Sequence, residues 1–497
     1  MDETKQRILD KIHTLYGLYC EDLFSLSKFE DIIDSIEETI KEKQSIKETR
    51  QERKNKLNNE KEAFIKTFME THNYYYIPES EIFIEYNKEH YKQIKENKIW
   101  VEIYNEVNKN KILSPWKQKV RVELIALLKK NTVYNVQLIP ETKTIQTVLQ
   151  IMQSIVVTNK QLGKYILTLL GDCLLKKNTS SNIVITTNNI DVFINDLEFQ
   201  IHHYMKCYFK EIFKHKYYNH NYDNIRILQT KDCENNAFMW TTTIKQYIFD
   251  IIFVACHYSK RYKNADNYIN NYCNNPETKE NVLYCCNNSK NNILETFVKT
   301  MFEKNDKLGV FKSDLKYLIN DYFEKINIPK VLFYADVDEY FEKHYDEVLD
   351  VNCSTMFKGL TAKNSHFISS FNTFFTDTFV INKETNTNFE IDEILLIFSK
   401  KQKIKKYELD EKMLLSLIKH YYPDVDISEN KYLNNIECKI WDKNADINEF
   451  VNKYQNENNS VSDSPTNTEK MYEEYFKWCE INKKHFIVSK NYFEENV

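Results

Sequence analysis

Trp240-Thr-Thr-Thr-Ile-Lys-Gln-Tyr-Ile-Phe-Asp-Ile-Ile-Phe-Val-Ala-Cys-His-Tyr258 is the stretch on which the fold turns. Its length and apolar content predict one buried helix. Its most apolar part, Tyr247–Cys256, falls well short of the ~20 residues that span a bilayer, as does Tyr165–Leu175. A buried helix needs a core around it, and a chain of 497 residues that is 42% hydrophobic and 14% aromatic can build one.

Helical periodicity continues on both sides. Thr142–Val156 and Lys160–Lys177 read as helices, as do Lys98–Val107, Trp116–Lys130 and Asp191–His215. Pro115 after Ser114 marks a helix start. Residues 1–70 are helical in pattern, with Ile8, Ile12 and Leu15 opening an apolar stripe that Leu23, Phe24, Leu26 and Phe29 continue. From Ile40 to Glu62 Lys, Arg and Glu alternate densely, which predicts a solvated helix rather than a nucleic-acid arm, because the signs are mixed. Strands are few and short. Tyr74–Ile77 and Ile82–Tyr86 flank Pro78-Glu79-Ser80-Glu81, an aromatic hairpin, and Asn182–Thr187 is a further strand. Residues 306–345 read as helix, Pro329, a short apolar run and helix. Residues 389–442 repeat that flavour, with helices at Ile391–Ser399 and Asp410–Tyr422 and two short strands after Pro423. The expected fold is mainly α with small β elements (α+β), a multi-segment helical protein with winged-helix-like modules. The expected segments are a helical N-terminus 1–70, a small α+β region 71–180, a basic and aromatic helical region 181–305, a winged-helix-like region 306–454, a linker 455–470 and a helical tail 471–497. No long-period repeat is visible.

Composition excludes several function classes. Only five glycines are present, Gly17, Gly163, Gly171, Gly309 and Gly359, and they cannot form a Walker loop or a dinucleotide fingerprint. A Gly-x-Ser-x-Gly elbow is absent for the same reason. Eleven cysteines without a Cys-x-x-Cys pair fit reduced thiols. The charged N-terminus lacks a signal-peptide core, and the expectation is a soluble intracellular protein. The net charge of -5 names no partner, so any nucleic-acid surface has to be local.

Two groups have zinc-type donors, Cys256-His257 with Cys273, Cys285 and Cys286, and His202, His203, Cys207, His215 and His220. Neither has the spacing of a common zinc site. Asp336, Asp338 and Glu339 offer carboxylates for a divalent cation but read better as the cap of the helix after Tyr334. No catalytic residue, cofactor or metal is assigned. The stronger signal is basic residues among aromatics. Between His202 and Lys263 there are ten Lys or Arg against five Asp or Glu. Lys206, Lys210 and Lys214 at i, i+4 and i+8 predict one helix face, joined by Lys260, Arg261 and Lys263. Tyr208 and Tyr258 are candidate stacking platforms for bases. A second run, Lys400, Lys401, Lys403, Lys405 and Lys406, falls between two helices of the winged-helix reading.

Several phrases carry a resemblance: Ile77–Tyr86, Trp116–Lys119, Ile139–Gln146, Lys164–Asp172, Val254–Ser259 and Ile440–Lys443. Together they resemble a conserved protein family of nucleocytoplasmic large DNA viruses of the algal-virus and mimivirus kind. That family has no activity to carry over. Phe83–Trp100 and Tyr472–Phe493 further resemble the helical lead-in and the winged-helix tail of viral primase-helicases. The ATPase core and the primase carboxylates of those proteins are missing. The resemblance implies a non-catalytic protein associated with DNA or RNA in replication or transcription, located in a viral factory of the host cytoplasm or in the virion, with other viral replication or transcription proteins as partners and no membrane. The alternative is a helical interaction scaffold of a virion or gene-expression complex.

Overall fold

The computed structural model describes residues 2–136, 141–177, 182–233, 237–349, 354–383, 385, 387–402, 410–458 and 468–497. Of these, 65% are helical and 14% lie in strands of small sheets, so the chain is mainly α with small β elements. Among the described residues no helix is long and apolar enough to cross a membrane. The chain forms two compact units. One comprises Met1–Asn182, Asn188–Phe213 and Thr230–Glu280, the other Ile183–Thr187, Lys214–Gln229 and Asn281–Val497.

The first unit opens with the helix Asp2–Tyr19 and then the 49-residue helix Leu23–Thr71. Asp22 starts the second by accepting the Phe24 and Ser25 N–H groups, each at 3.2 Å. At 1.5 Å per residue this helix is about 74 Å long. It is exposed along most of its length up to Lys56, and enters a core through buried Lys61, Ile65 and Phe68 with Leu57, Phe64 and Met69 partly buried beside them. There it meets Ile99, Ile103 and Val107 of the helix Glu96–Lys109, spaced to share one face, and Val120, Leu124 and Leu128 of Lys117–Leu128. The aromatic hairpin Tyr74–Ile77 and Ile82–Tyr86 forms with Tyr76 opposite Phe83. A third strand, Tyr91–Ile94, pairs with it. This strand has little sequence signal, since Lys92 and Gln93 face solvent. It is fixed instead by buried Asp250, which accepts the Tyr91 N–H at 2.6 Å and lies 2.9 Å from His90 Nδ1.

The stretch Trp240–Tyr258 lies in the helix Ala237–Tyr262, buried from Asp250 to Ser259. It packs on the helix Lys160–Leu174 so closely that a Cβ on Gly171 would sit 2.0 Å from the Ala255 carbonyl oxygen. Beside this crossing Asp172 is fully buried. It accepts the Ser259 hydroxyl at 2.5 Å and the Ala265 N–H at 2.7 Å, with Lys177 Nζ 3.7 Å away.

In the second unit one order of elements occurs twice. The helix Lys290–Met301, strand Phe302–Phe311, helices Lys312–Lys325 and Tyr334–His344, and strands Glu347–Leu349 and Thr355–Ala362 form the first copy. The last strand lies in the middle of its three-stranded sheet, antiparallel to both others. The helix Ser365–Thr378, strand Asn388–Glu390, helices Ile391–Gln402 and Glu411–Tyr421, and strands Asp426–Ser428 and Tyr432–Asn434 form the second, again with the last strand central. An extra ribbon pairs Phe379–Ile381 with Ile436–Cys438. The shared order of elements underlies the likeness in flavour between residues 306–345 and 389–442. Residues 306–311 correct a helical reading: they belong to the strand Phe302–Phe311, which is charged and exposed at its centre and is held by pairing at Phe302–Asn305 and again at Gly309–Phe311, with Gly309 against Met356 and Phe357. Tyr472–Phe493 contains parts of two helices and, among its residues, no strand. The second copy continues into the helix Lys443–Asn458 through a buried ion pair, Lys443 Nζ to Glu393 at 2.8 Å, with Lys443 also 3.8 Å from the Tyr492 ring centre. The expected linker 455–470 lies largely outside the described residues.

Gly171→Ala is expected to cost at least about 3 kcal/mol or abolish folding, because backbone rather than a flexible side chain opposes the new methyl. Gly17→Ala, with nothing within 4 Å, is expected to be neutral or to stabilise by up to about 1 kcal/mol. Denaturant midpoints of the two variants check this.

Candidate nucleic-acid interface

The helix expected over Asp191–His215 ends at Met205. Lys206 takes a left-handed conformation (φ 50°), and the next backbone amides, Phe209 and Lys210, donate to the Glu198 carboxylate at 2.7 and 2.6 Å. Lys210 falls in a 3-10 turn and Lys214 in a two-residue strand. Lys206, Lys210 and Lys214 therefore share no helix face, which corrects the spacing argument. Lys206, Lys210 and the 69% exposed Tyr208 remain on an open loop, with the Tyr208 ring 4.3 Å from His202 and Lys206 Nζ 3.2 Å from the His203 carbonyl oxygen.

Tyr258 is not a stacking platform. It is 0% exposed in the central helix, and burial pushes its hydroxyl pKa up. Lys260 donates to the carbonyls of Tyr134 and Val136, and burial pulls its ammonium pKa down. It is a structural cation that holds residues 134–136 to the helix. Arg261 lies 3.5 Å from Glu141 and over the Tyr262 ring. Lys263 is exposed, with φ 70°. In the second unit Lys400 donates to the His485 carbonyl and lies over Phe486, and Lys401 donates to Thr378 Oγ1 at 3.1 Å. Lys403, Lys405 and Lys406 lie outside the described residues. Of the candidates that can be placed, Lys206, Tyr208, Lys210 and Lys263 are exposed without a charged partner or a core role.

The metal candidates do not assemble. Cys256 and His257 are buried in the first unit, whereas Cys285 and Cys286 belong to the second. His203 and Cys207 are not on one helical turn, since the helix stops between them. Among the described residues no three His, Cys, Asp or Glu side chains converge to hold an ion. Of the three carboxylates read as a cap, Asp336 caps from inside the first turn, not from the N-cap position, which is Phe333: its Oδ2 accepts the Phe333 N–H at 2.9 Å and its Oδ1 pairs with Lys290 at 2.8 Å.

A cationic surface that order of signs conceals lies on the long helix. Lys43, Lys47, Arg50 and Lys54 lie together on one exposed face of that helix, beside Ile46 and Gln51. Four of the cations of this segment gather on one face once it is helical, while Lys41, Arg53 and Lys56 lie on the sides that carry the glutamates. A count at 100° per residue finds that face in the sequence, and a count of signs alone does not. No protein-family model and no curated protein matches this chain.

His257 is held neutral, its pKa pushed down to about 4, mainly by burial and further by the Arg261 charge. In an unfolded chain it titrates near about 6.5. The unfolded state therefore takes the proton first, so the contribution to stability is complete above about pH 6.5 and is lost as pH falls toward 4. By pH 4 the loss reaches about 3 kcal/mol, at about 1.4 kcal/mol per pH unit. His257→Gln is expected to remove that share of the acid sensitivity, so that urea midpoints of the two proteins converge on acidification. Parallel curves would contradict the assignment.

Proposed function

We propose that this chain is a non-catalytic, nucleic-acid-associated protein that supports replication or transcription of a large DNA virus and is built on two winged-helix modules, 290–362 and 365–438. The observation that carries this reading is the duplicated order helix, strand, helix, helix, strand, strand, with the last strand in the middle of each sheet. It is the order of a helix–turn–helix followed by a β wing, a frame that presents helices and hairpins to nucleic acid. The viral context comes from the sequence phrases that resemble the large-DNA-virus family. The open cations of the first unit, on the loop at Lys206–Lys210 and on the long helix, supply phosphate-binding charge that this reading requires.

One observation favours the alternative of an interaction scaffold. In the first module the second helix of the pair, Tyr334–His344, carries Asp336, Asp338, Glu339 and Glu342, and the lysines beside it are engaged by them, Lys290 by Asp336 at 2.8 Å and Lys312 by Glu342 at 2.7 Å, so it offers phosphates no net positive charge. In the second module the equivalent helix Glu411–Tyr421 is partly occupied, with His420 Nε2 3.2 Å from the Ser313 carbonyl oxygen and the Tyr421 hydroxyl 2.7 Å from Asp314. Under either reading these two helices do not insert into a groove in the usual manner, and contact falls to other faces.

Titration against labelled single- and double-stranded DNA and RNA decides between the readings. A nucleic-acid protein is expected to bind at about 50 mM salt and to lose affinity by tenfold or more by about 200 mM, as displaced counterions require. Absence of binding at the lower salt would leave the scaffold reading.

A further inference from the structure

We infer that the helix Leu23–Thr71 is a nucleic-acid-contacting arm, with Lys43, Lys47, Arg50 and Lys54 seated along a phosphate backbone. The inference rests on the nucleic-acid reading above and names a surface for it. At 100° per residue Lys47, Arg50 and Lys54 lie within about 40° of Lys43 around the helix, a face free of carboxylates, whereas Glu42, Glu48 and Glu52 lie about 100° to 180° away on faces they share with Lys41, Arg53 and Lys56. All four cations are exposed, and none makes a hydrogen bond or ion pair within the described structure. Lys61, one heptad beyond Lys54 on the same face, is buried and paired with Glu123 at 2.8 Å. The protein thus neutralises this row where it meets the body and leaves it bare where it projects.

The composition of the face argues for phosphate over a protein helix. Along this line the long helix presents Phe29, Ile33, Ile36 and Ile40, then four successive cations, then Leu57 and Phe64. A helix docking on the middle section would find four cations along the seam and Ile46 as the one large apolar knob to bury. Nor does this section offer the broad apolar face with which an interfacial helix enters a membrane, since Ile46 is the one large apolar residue beside the four cations. A phosphate backbone needs neither. The four charges span about 16 Å of helix axis, and one strand of a duplex presents about five phosphates over that distance, at about 3.4 Å each.

The test uses the full chain and a labelled 30-base-pair duplex, read by fluorescence anisotropy over a salt series. Four neutralised duplex contacts are expected to reduce the slope of log K against log salt by about 3 to 4 in Lys43→Gln/Lys47→Gln/Arg50→Gln/Lys54→Gln, with at least about tenfold weaker binding at about 0.1 M salt. Glu42→Gln/Glu48→Gln/Glu52→Gln, on the other faces of the same helix, is expected to keep at least the wild-type affinity and slope. Circular dichroism checks that the helix persists in both. A quadruple variant that binds with the wild-type slope overturns the arm and leaves the nucleic-acid reading intact. A wild-type protein that binds no nucleic acid overturns both.

Discussion

The first unit depends on how closely two helices can approach. At Gly171 the helix Lys160–Leu174 meets the Ala255 backbone with no room for a side chain. That proximity brings Asp172 within reach of Ser259 and of the Ala265 amide, which begins the next short helix. A buried carboxylate is costly unless its oxygens are satisfied, and burial does raise the Asp172 pKa against the lowering effect of these donors. Satisfied, it fixes the register of the two helices, since neither can slide by a turn without stranding the carboxylate. Asp250, eight residues before Tyr258 on the same helix, ties the aromatic sheet in the same manner. One helix thus carries both an apolar seam and two polar anchors that specify what packs where.

Elements whose residues advertise their own burial were legible. The hairpin at Tyr74–Tyr86, the helices at Lys143–Ile155, Lys160–Leu174 and Ala237–Tyr262, and the pair Ile391–Gln402 and Glu411–Tyr421 follow from periodicity and turn residues. What periodicity missed is stabilised from outside the segment. Tyr91–Ile94 is a strand because of Asp250, and Phe302–Phe311 because of its partner Thr355–Ala362. The helix after Asp191 stops at Lys206 without Gly or Pro to announce it, through a non-glycine residue at positive φ and a distant carboxylate, Glu198. The duplicated module shows in the sequence only as the like flavour of 306–345 and 389–442, because what is shared is the order of elements.

The candidate site shows how a count of cations misleads. Lys260, Lys400 and Lys401 are long side chains whose charged ends satisfy carbonyl or hydroxyl groups within the protein. Their stems pack while their charges are consumed. The row on the long helix is the reverse case, a segment of mixed sign whose geometry gathers four of its cations on one open face. Whether a lysine is available to a partner depends on what lies beside it in space. For neighbours on the same helix the 3.6-residue period supplies that knowledge; for carbonyls a hundred residues away it cannot.

The path of the chain between its two units has a consequence for biogenesis. Ile183–Thr187 and Lys214–Gln229 belong to the second unit, yet each is bounded in sequence by segments of the first. Their strands Ile183–Thr186 and Ile225–Leu228 lie parallel, and Ile185, Ile225 and Ile227 share an apolar core with Phe297 and Leu318. On a ribosome these strands emerge about 70 to 135 residues ahead of Phe297 and Leu318, a wait of about 3 to 27 s at about 5 to 20 residues per second. Their apolar faces must be shielded for that interval, and no single cut in the chain yields two complete halves. The two units are separate by packing but are synthesised as one inseparable folding problem.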